Sequence, residues 1–460
     1  MAFASPLPLN SRSGSRLGRT LKAAFTGLAL TAGLLVLSAC NTVNGVIGDG
    51  GQPVAENGGP ARGPRPNVNP IGPEGPVATG GPRMGSGVGA GPLKVALLVP
   101  QSGRARDQVA LGNALFDAAQ MALFDTGRSD ITLIVKDTGA GSAANAAQQA
   151  INEGAEIIIG PVFAEEVGAV RAVAAPMGVP VIAFSSDNSV AGGGAYLLSF
   201  PPEEEIRAVV NYAAGRGVGL FAVLAPQNAY GRRASSAFAR DVASIGGSVV
   251  AESTYPAAKE AMYPSVMRLD GKDFDALFIP DGGANLRDIA GMVRFGPPPP
   301  PPPAPLTDEQ IAAGVAPPPP PPPPVRAVLP EHILLGTGLW DEAANGASGG
   351  LARGVFAAPE PSARQSFSAR FESAYGYRPP RVASLGYDAL SLAATLSSDL
   401  PGQRFSAAAI TDPNGFNGVD GIFSFLRDGT IQRGLAIIEA NGSGFSVLRP
   451  APRTFQAAGY

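Results

Sequence analysis

The chain of 460 residues contains a single cysteine, Cys40, and a single histidine, His332. One cysteine cannot form an intramolecular disulfide, so the fold must be stabilised by burial of an apolar core. The histidine stands at the start of a predicted strand, and no sequence motif pairs it with a catalytic serine or cysteine. The sequence therefore offers neither a disulfide framework nor a cluster of metal ligands, and no metal site is predicted.

Motifs that carry catalysis or hold cofactors are also lacking. The chain has no nucleophile elbow, no zinc-protease motif and no phosphate-binding loop. The segment from Gly139 to Ala144 resembles a dinucleotide-binding turn, but it follows the second predicted strand instead of the first. The acidic residues 203–205 begin a predicted helix, where they favour the helix dipole. We therefore predict a non-enzymatic protein without a cofactor.

Basic clusters are missing as well. Removal of residues 1–39, which carry four basic and no acidic side chains, shifts the formal net charge from −3 to −7. An acidic chain without a basic patch lacks the electrostatic footprint of nucleic-acid binding. Nucleic acid is therefore not an expected partner.

The N-terminal segment does contain a recognisable pattern. Four basic residues (Arg12, Arg16, Arg19 and Lys22) precede an apolar run that ends in Leu37-Ser-Ala-Cys40. This order is typical of a secretory signal peptide, and its last four residues resemble the lipobox of bacterial lipoproteins. We predict a signal peptide over 1–39 and a lipidated Cys40 that anchors the protein in a membrane. An ordinary signal peptide with a chance cysteine is the alternative.

Two segments lack any hydrophobic period. Residues 40–93 are rich in Gly and Pro, which is typical of a disordered tether with an r.m.s. span of roughly 40 Å. A second segment, 296–325, contains the runs Pro297–Pro303 and Pro317–Pro324. Polyproline forms extended PPII rods, and this insertion could either dock in a partner's aromatic groove or be a neutral loop.

From Lys94 onward, short apolar segments alternate with helical segments of 10–15 residues. Strands are predicted near 94–99, 131–135, 156–159, 179–184, 219–225, 248–253, 276–280 and 332–335, and helices lie between them. Further helices near 363–375 and 383–396 precede strands near 421–425, 435–439 and 445–448. This alternation predicts an α/β protein with parallel sheets. We predict two doubly wound Rossmann-like lobes joined by a hinge: lobe 1 at about 94–200 plus 360–450, and lobe 2 at about 201–359.

Ligands of open α/β sheets bind beyond the carboxyl ends of the strands. The candidate ligand-binding residues in those loops are Ser102, Phe163, Ser185, Ser186, Asp187, Tyr230, Asp281, Trp340 and Asp341. The hydroxyl groups of Ser185 and Ser186 suit a carboxylate, whereas Asp281 or Asp341 could face an ammonium group. The three aromatic side chains would form apolar walls. The alternative is that these are ordinary loop residues.

The order of the elements resembles the type I periplasmic-binding fold of leucine/isoleucine/valine-binding proteins. The resemblance covers about 94–448 and rests on short pieces, among them Ile157-Ile-Ile-Gly-Pro161, Gly386-Tyr-Asp-Ala389 and Gly418-Val-Asp-Gly421. It implies that an amino acid is held between hinged lobes by Ser185, Ser186, Asp187, Asp281 and Trp340–Asp341, with Phe163 a looser match. The aromatic residue often found before the first-helix glycine is Leu111 here, and the lobe-2 tyrosine is missing near Asp281.

A lipidated form with a long tether also resembles the lipoproteins that activate penicillin-binding proteins. Residue 41 is Asn rather than Asp, which favours sorting to the outer membrane, where the anchor would lie on the periplasmic face. Two hypotheses follow. The first is a small, amino-acid-like ligand in amino-acid transport or sensing, and the alternative is stimulation of a peptidoglycan synthase.

Overall fold

The computed structural model describes residues 87–297, 307, 313, 316, 329, 332–398, 400 and 403–455. The predicted signal peptide, Cys40, most of the tether and most of the proline-rich insertion lie outside these residues. Among the helices that are described, none is long and apolar enough to cross a membrane.

The first sheet has five parallel strands in the order β2-β1-β3-β4-β5. Its strands are β1 Leu93–Val99, β2 Ile131–Asp137, β3 Ala155–Ile159, β4 Val181–Ala183 and β5 Ala195–Leu197. The intervening helices are α1 Arg106–Thr126, α2 Ala143–Asn152 and α3 Ala164–Ala174. Alternate residues of β1 enter two separate apolar clusters, with Val95 and Leu97 facing α1 and Ala96 and Leu98 facing α2 and α3. Helices on both faces explain why the strands are apolar throughout.

The second sheet has seven strands in the order β15-β14-β10-β9-β8-β6-β7. They are β6 Leu220–Pro226, β7 Ser248–Tyr255, β8 Ala276–Phe278, β9 Ile333–Gly336, β10 Gly354–Ala358, β14 Ala436–Ala440 and β15 Phe445–Arg449. The helices of this lobe are α4 Pro202–Ala214, α5 Ala229–Ser244, α6 Tyr263–Met267, α7 Gly283–Phe295 and α8 Ala343–Gly346. Strands β6 to β10 run parallel, whereas β14 and β15 add antiparallel. The predicted α/β class with two doubly wound lobes is confirmed.

The chain crosses between the lobes three times. The first crossing joins β5 to α4, and the second joins β10 to α9 Pro361–Tyr375. Helix α9 returns to lobe 1, followed by α10 Ala383–Leu396, α11 Ala407–Ile410 and the antiparallel strands β11 Phe416–Gly418, β12 Gly421–Phe425 and β13 Ile431–Arg433. The third crossing joins β13 to β14. Strands β14 and β15 thus complete the lobe 2 sheet, although the sequence analysis assigned them to lobe 1.

Helices α1 and α10 pack closely because Gly386 presents no side chain to α1. A Cβ atom at this position would lie 2.3 Å from the backbone oxygen of Leu115. We expect Gly386→Ala to lower the free energy of unfolding by about 1–3 kcal/mol, since a shift of backbone would be required. Urea denaturation measures this loss.

A matched control is Gly168→Ala within α3, where a Cβ atom would meet nothing within 4 Å. Alanine there should raise stability by about 0.5–1 kcal/mol, because it lowers the backbone entropy lost on folding. Equal unfolding midpoints for the two variants would contradict the close packing of α1 and α10.

Candidate functional site

The predicted site residues follow the carboxyl ends of parallel strands in the two lobes. In lobe 1, the Ser102 hydroxyl donates to the carboxylate of Asp137, and the backbone N–H of Asp187 donates to the Ser185 hydroxyl at 3.1 Å. Although partial burial opposes it, hydrogen bonding to Ser189 lowers the pKa of Asp187. The hydroxyl of Ser102 thus joins its loop to the end of β2, and the carboxylate of Asp187 stabilises its own loop.

Phe163 forms the start of α3 and is 6% exposed. The guanidinium of Arg104 lies over its ring, 4.7 Å from the centroid, and also pairs with Glu166. Burial raises the pKa of Glu166, against the attraction of Arg104. The ring that was predicted as an apolar wall is therefore covered by a cation of its own lobe.

In lobe 2, the Tyr230 hydroxyl donates to the Thr337 hydroxyl at 2.9 Å. Asp281 accepts a hydrogen bond from the Tyr255 hydroxyl at 2.7 Å and one from the backbone of Gly282 at 2.8 Å. Burial raises the pKa of Asp281 in spite of these bonds. This carboxylate is thus held within its own lobe.

Trp340 was predicted as an apolar wall of the cleft, but the structure places it in the lobe 2 core. Its side chain is fully buried against Phe356, with ring centroids 6.1 Å apart. Its indole N–H donates to the backbone oxygen of Ile279 at 3.1 Å.

Asp341, the next residue, faces lobe 1. Its side chain is 3% exposed and pairs with the guanidinium of Arg364 at 2.5 Å. Arg364 lies on α9, which packs on α1 in lobe 1. Burial raises the pKa of Asp341, whereas Arg364 acts in the opposite direction. This ion pair therefore joins the two lobes.

A second contact between the lobes is made by Arg233 on α5. It donates to the backbone oxygen of Ser186 in lobe 1 at 2.6 Å, and it holds both carboxylate oxygens of Glu203 at 2.7 and 2.8 Å. Ser186 is itself exposed. Its carbonyl oxygen, not its hydroxyl, makes this contact.

The sequence analysis missed the role of Glu205, which it interpreted only as a residue that favours the helix dipole. Glu205 is 8% exposed and accepts a hydrogen bond from the backbone N–H of Gly338 at 2.8 Å. Burial raises its pKa to about 7, although Gly338, Arg381 and Arg433 act against this shift. Tyr230 and Asp341 also lie within its electrostatic reach, so Glu205 brings two predicted site residues together.

The lobe 1 side of this region is also charged. Arg433 is 6% exposed, and its Nε donates to the backbone oxygen of Ser199 at 2.6 Å. Arg381 pairs at 3.0 Å with Asp420, which is fully buried. Asp388 accepts the backbone N–H of Val419 at 2.7 Å, and burial, with the nearby Asp420 carboxylate, raises its pKa to about 7. We call Glu205, Asp341, Arg364, Arg381, Asp388, Asp420 and Arg433 the hinge charge cluster.

Two open cavities lie elsewhere. One, of about 330 Å³, is lined by residues of β2 and α2 together with Gln101. The other, of about 170 Å³, lies between β6, α5 and β7. Neither is lined by a predicted site residue. Among the described residues, no group of three or more acidic, His or Cys side chains is placed to hold a metal ion.

Comparison with known proteins agrees with this architecture. Residues 90–267 match the family model described as "LppC putative lipoprotein". The structure is similar to a branched-chain amino acid ABC transporter periplasmic ligand-binding protein from Burkholderia xenovorans, with a TM-score of 0.56, 15% identity, and coverage of 79% of this chain and 97% of that one. The chain has the type I periplasmic-binding fold.

Similar structures also include the LpoA (YraM) C-domain from Haemophilus influenzae, a regulator of PBP1A. The TM-score is 0.55 at 17% identity, with coverage of 77% of this chain and 99% of the domain. Full-length LpoA gives a TM-score of 0.57, again at 17% identity over 77% of this chain, and the match spans 58% of LpoA. No curated protein matches the chain in sequence. The resemblance in fold to leucine-binding proteins is confirmed, and the match to a lipoprotein family model agrees with the lipoprotein resemblance stated from the sequence.

Proposed function

We propose that this protein is an outer-membrane lipoprotein that stimulates a peptidoglycan synthase by direct contact. The match of residues 90–267 to a lipoprotein family and the similarity of the fold to LpoA support this proposal. The lipobox at Cys40 and the tether that follows would let the folded lobes work some distance from the membrane. Asn41 favours the periplasmic face of the outer membrane as the location.

The observation that carries the proposal is the ion pair between Asp341 and Arg364. In the resemblance to leucine-binding proteins, Asp341 is a candidate partner for the ammonium group of an amino acid. Here a guanidinium of the same chain is paired with that carboxylate, and the carboxylate is 3% exposed. An amino acid would have to displace Arg364 before its ammonium group could reach Asp341.

Asp281 and Ser185, which are also expected to hold a ligand, are engaged as well, whereas Ser186 is exposed. The Asp281 carboxylate has two intramolecular donors. The Ser185 hydroxyl is bonded within its loop, and the Ser186 carbonyl oxygen is bonded by Arg233. A cleft whose charges are satisfied internally favours a role in which lobe surfaces, and not a captured solute, carry the function.

The test is glycan polymerisation by a purified bifunctional penicillin-binding protein, measured with and without the full chain. We expect a severalfold higher rate with the chain and no thermal stabilisation of the chain by amino acids at millimolar concentration. Ser186→Ala serves as the matched control, because the backbone carbonyl that contacts Arg233 remains and stimulation should persist.

The opposite pattern would support the amino-acid-like ligand. A ligand present at 100 times its Kd stabilises a protein by about 2.7 kcal/mol, which a thermal melt detects easily. Such stabilisation, lost in Ser186→Ala combined with Asp341→Ala, together with an unchanged synthase rate, would overturn the proposed function.

A further inference from the structure

One carboxylate of the hinge charge cluster, that of Glu205, is held in place by close packing. Glu205 lies in the first turn of α4, directly after the first crossing between the lobes. Its carboxylate approaches the backbone of Gly338 so closely that a Cβ atom there would lie 2.4 Å from Glu205 Oε1. A glycine at 338 and a carboxylate at 205 thus fit together, and no other residue could occupy position 338 without moving this side chain.

The charges that face Glu205 come from both lobes. From lobe 2, they are the Tyr230 hydroxyl on α5 and the Asp341 carboxylate after β9. From lobe 1, they are the guanidinium groups of Arg381 and Arg433, which both lie over the Phe200 ring, at 3.9 and 4.4 Å from its centroid. Because Arg381 and Arg433 belong to lobe 1, separation of the lobes would move them away from Glu205 and admit water there.

The charge across the boundary acts in the opposite direction to burial, because the attraction between the lobes is stronger when Glu205 is ionised. Lobe 2 contributes the two carboxylates Glu205 and Asp341 to the cluster. Lobe 1 contributes three guanidinium groups and the buried carboxylates of Asp388 and Asp420. The lobe 1 part is thus net positive when ionised, and the lobe 2 part is net negative.

We propose that closure of the two lobes is coupled to protonation of Glu205. The arrangement described here, with the lobes in contact through Arg364 and Arg233, takes up a proton at this carboxylate. Opening of the lobes returns the carboxylate to water and releases the proton. The device is a pH-sensitive hinge, and it does not depend on whether the partner is a synthase or a solute.

The direction of the effect follows from burial. In the closed arrangement, burial raises the pKa of Glu205 from 4.5 to about 7, in spite of the nearby guanidinium groups. In the open arrangement, hydration brings the pKa back toward its ordinary value. Closure is therefore favoured at acid pH and is weakened as the pH rises through about 7. The ratio of closed to open molecules should change by a factor of up to about 30 between pH 5.5 and 8.5.

Distance measurement between spin labels tests this coupling. The full chain with Cys40→Ser has no remaining cysteine, so Ala172→Cys on α3 and Ala243→Cys on α5 place one label on each lobe. Both positions are exposed. We expect a short, narrow distance distribution at pH 5.5 and a longer population that grows at least tenfold by pH 8.5.

Two variants separate this hinge from general effects of pH. Glu205→Gln keeps an acceptor for the Gly338 N–H but cannot ionise, so the distribution should stay short at both pH values. Asp388→Asn removes a buried carboxyl whose pKa is also about 7 but which lies within lobe 1. This variant should keep the pH response of the distance.

The proposal fails if the wild-type distribution is the same at both pH values, or if Glu205→Gln responds to pH as the wild type does. Circular dichroism establishes that each variant is folded. If Glu205→Gln does not fold, Gly338→Ala provides the second test. It forces the carboxylate from its buried position and should reduce the pH response, so an unchanged response would equally overturn the coupling.

Discussion

Replacement of Arg364 by alanine is expected to lower the free energy of unfolding by about 3–5 kcal/mol, which is the usual cost of removing one partner of a buried ion pair. The Asp341 side chain is only 3% exposed, and Arg364 is 20% exposed. Without the guanidinium, the carboxylate must either stay buried without its counter-ion or take up a proton. Urea denaturation of the variant at neutral pH measures this cost.

The matched control lies on the same helix. Arg370 pairs with Asp125 at 2.7 Å, but the two side chains are 52% and 35% exposed. Since exposed pairs contribute little, Arg370→Ala should cost less than about 1 kcal/mol. A loss in Arg364→Ala no larger than that in Arg370→Ala would show that the contact between α9 and lobe 2 is not a stabilising ion pair.

A double variant isolates the interaction between Arg364 and Asp341 from the contacts that each makes with other residues. Arg364→Ala combined with Asp341→Ala removes both charges, so it should lose less stability than the sum of the two single variants. Methylguanidinium offers a further check, because it can replace the missing group. It should raise the melting temperature of Arg364→Ala and leave that of the wild type unchanged.

The helices and strands of the lobes could be predicted because the pattern of apolar residues that indicates each one lies within a short stretch of sequence. In β1, Val95 and Leu97 face one layer of helices while Ala96 and Leu98 face the other, so the strand is apolar at every position. Such a run between turn residues predicts a buried parallel strand without knowledge of its neighbours. Helix α1 was predicted for a similar reason, since its apolar residues, such as Leu111, Leu115 and Ala122, recur at helical spacing.

The assignment of the last strands to a lobe could not be predicted in this way. Strands β14 and β15 are apolar and short, like those of lobe 1, but they pair antiparallel with the edge of the lobe 2 sheet. Periodicity indicates that a segment is a strand and says nothing about which sheet it joins. The third crossing between the lobes brings together residues far apart in sequence: Arg433 bonds there to the backbone of Ser199 from the first crossing.

The site was predictable in position but not in its contacts. Asp341 was expected at a strand end in the cleft, and the structure places it at the boundary of the lobes. Its partner Arg364 lies on a helix of the other lobe, and no motif connects the two residues. The cluster around Glu205 is assembled in the same way from segments distant in sequence. Asp388 and Asp420 stand in two of the pieces that carry the resemblance, which is a further signal in the sequence for this cluster.

The burial of Trp340 could not be predicted from the sequence either, because a loop residue at a strand end can face either the cleft or the core. The indole fills space that two glycines leave open: a Cβ atom at Gly336 would lie 2.1 Å from Trp340 Cε2, and one at Gly354 would lie 2.6 Å from Cζ3. A side chain so enclosed has a structural role, and its removal leaves a cavity in the lobe 2 core.

We expect Trp340→Ala to lower the free energy of unfolding by about 3–5 kcal/mol, as for other large buried aromatic side chains. Trp340→Phe keeps most of the apolar volume but loses the hydrogen bond to the backbone oxygen of Ile279. Its cost should be smaller, about 1–3 kcal/mol, because one buried acceptor is left without its donor. Denaturant unfolding of both variants gives these values. If Trp340 were instead a wall of the cleft, Trp340→Ala would leave stability nearly unchanged and would alter only ligand binding, so the size of this loss decides between core and cleft.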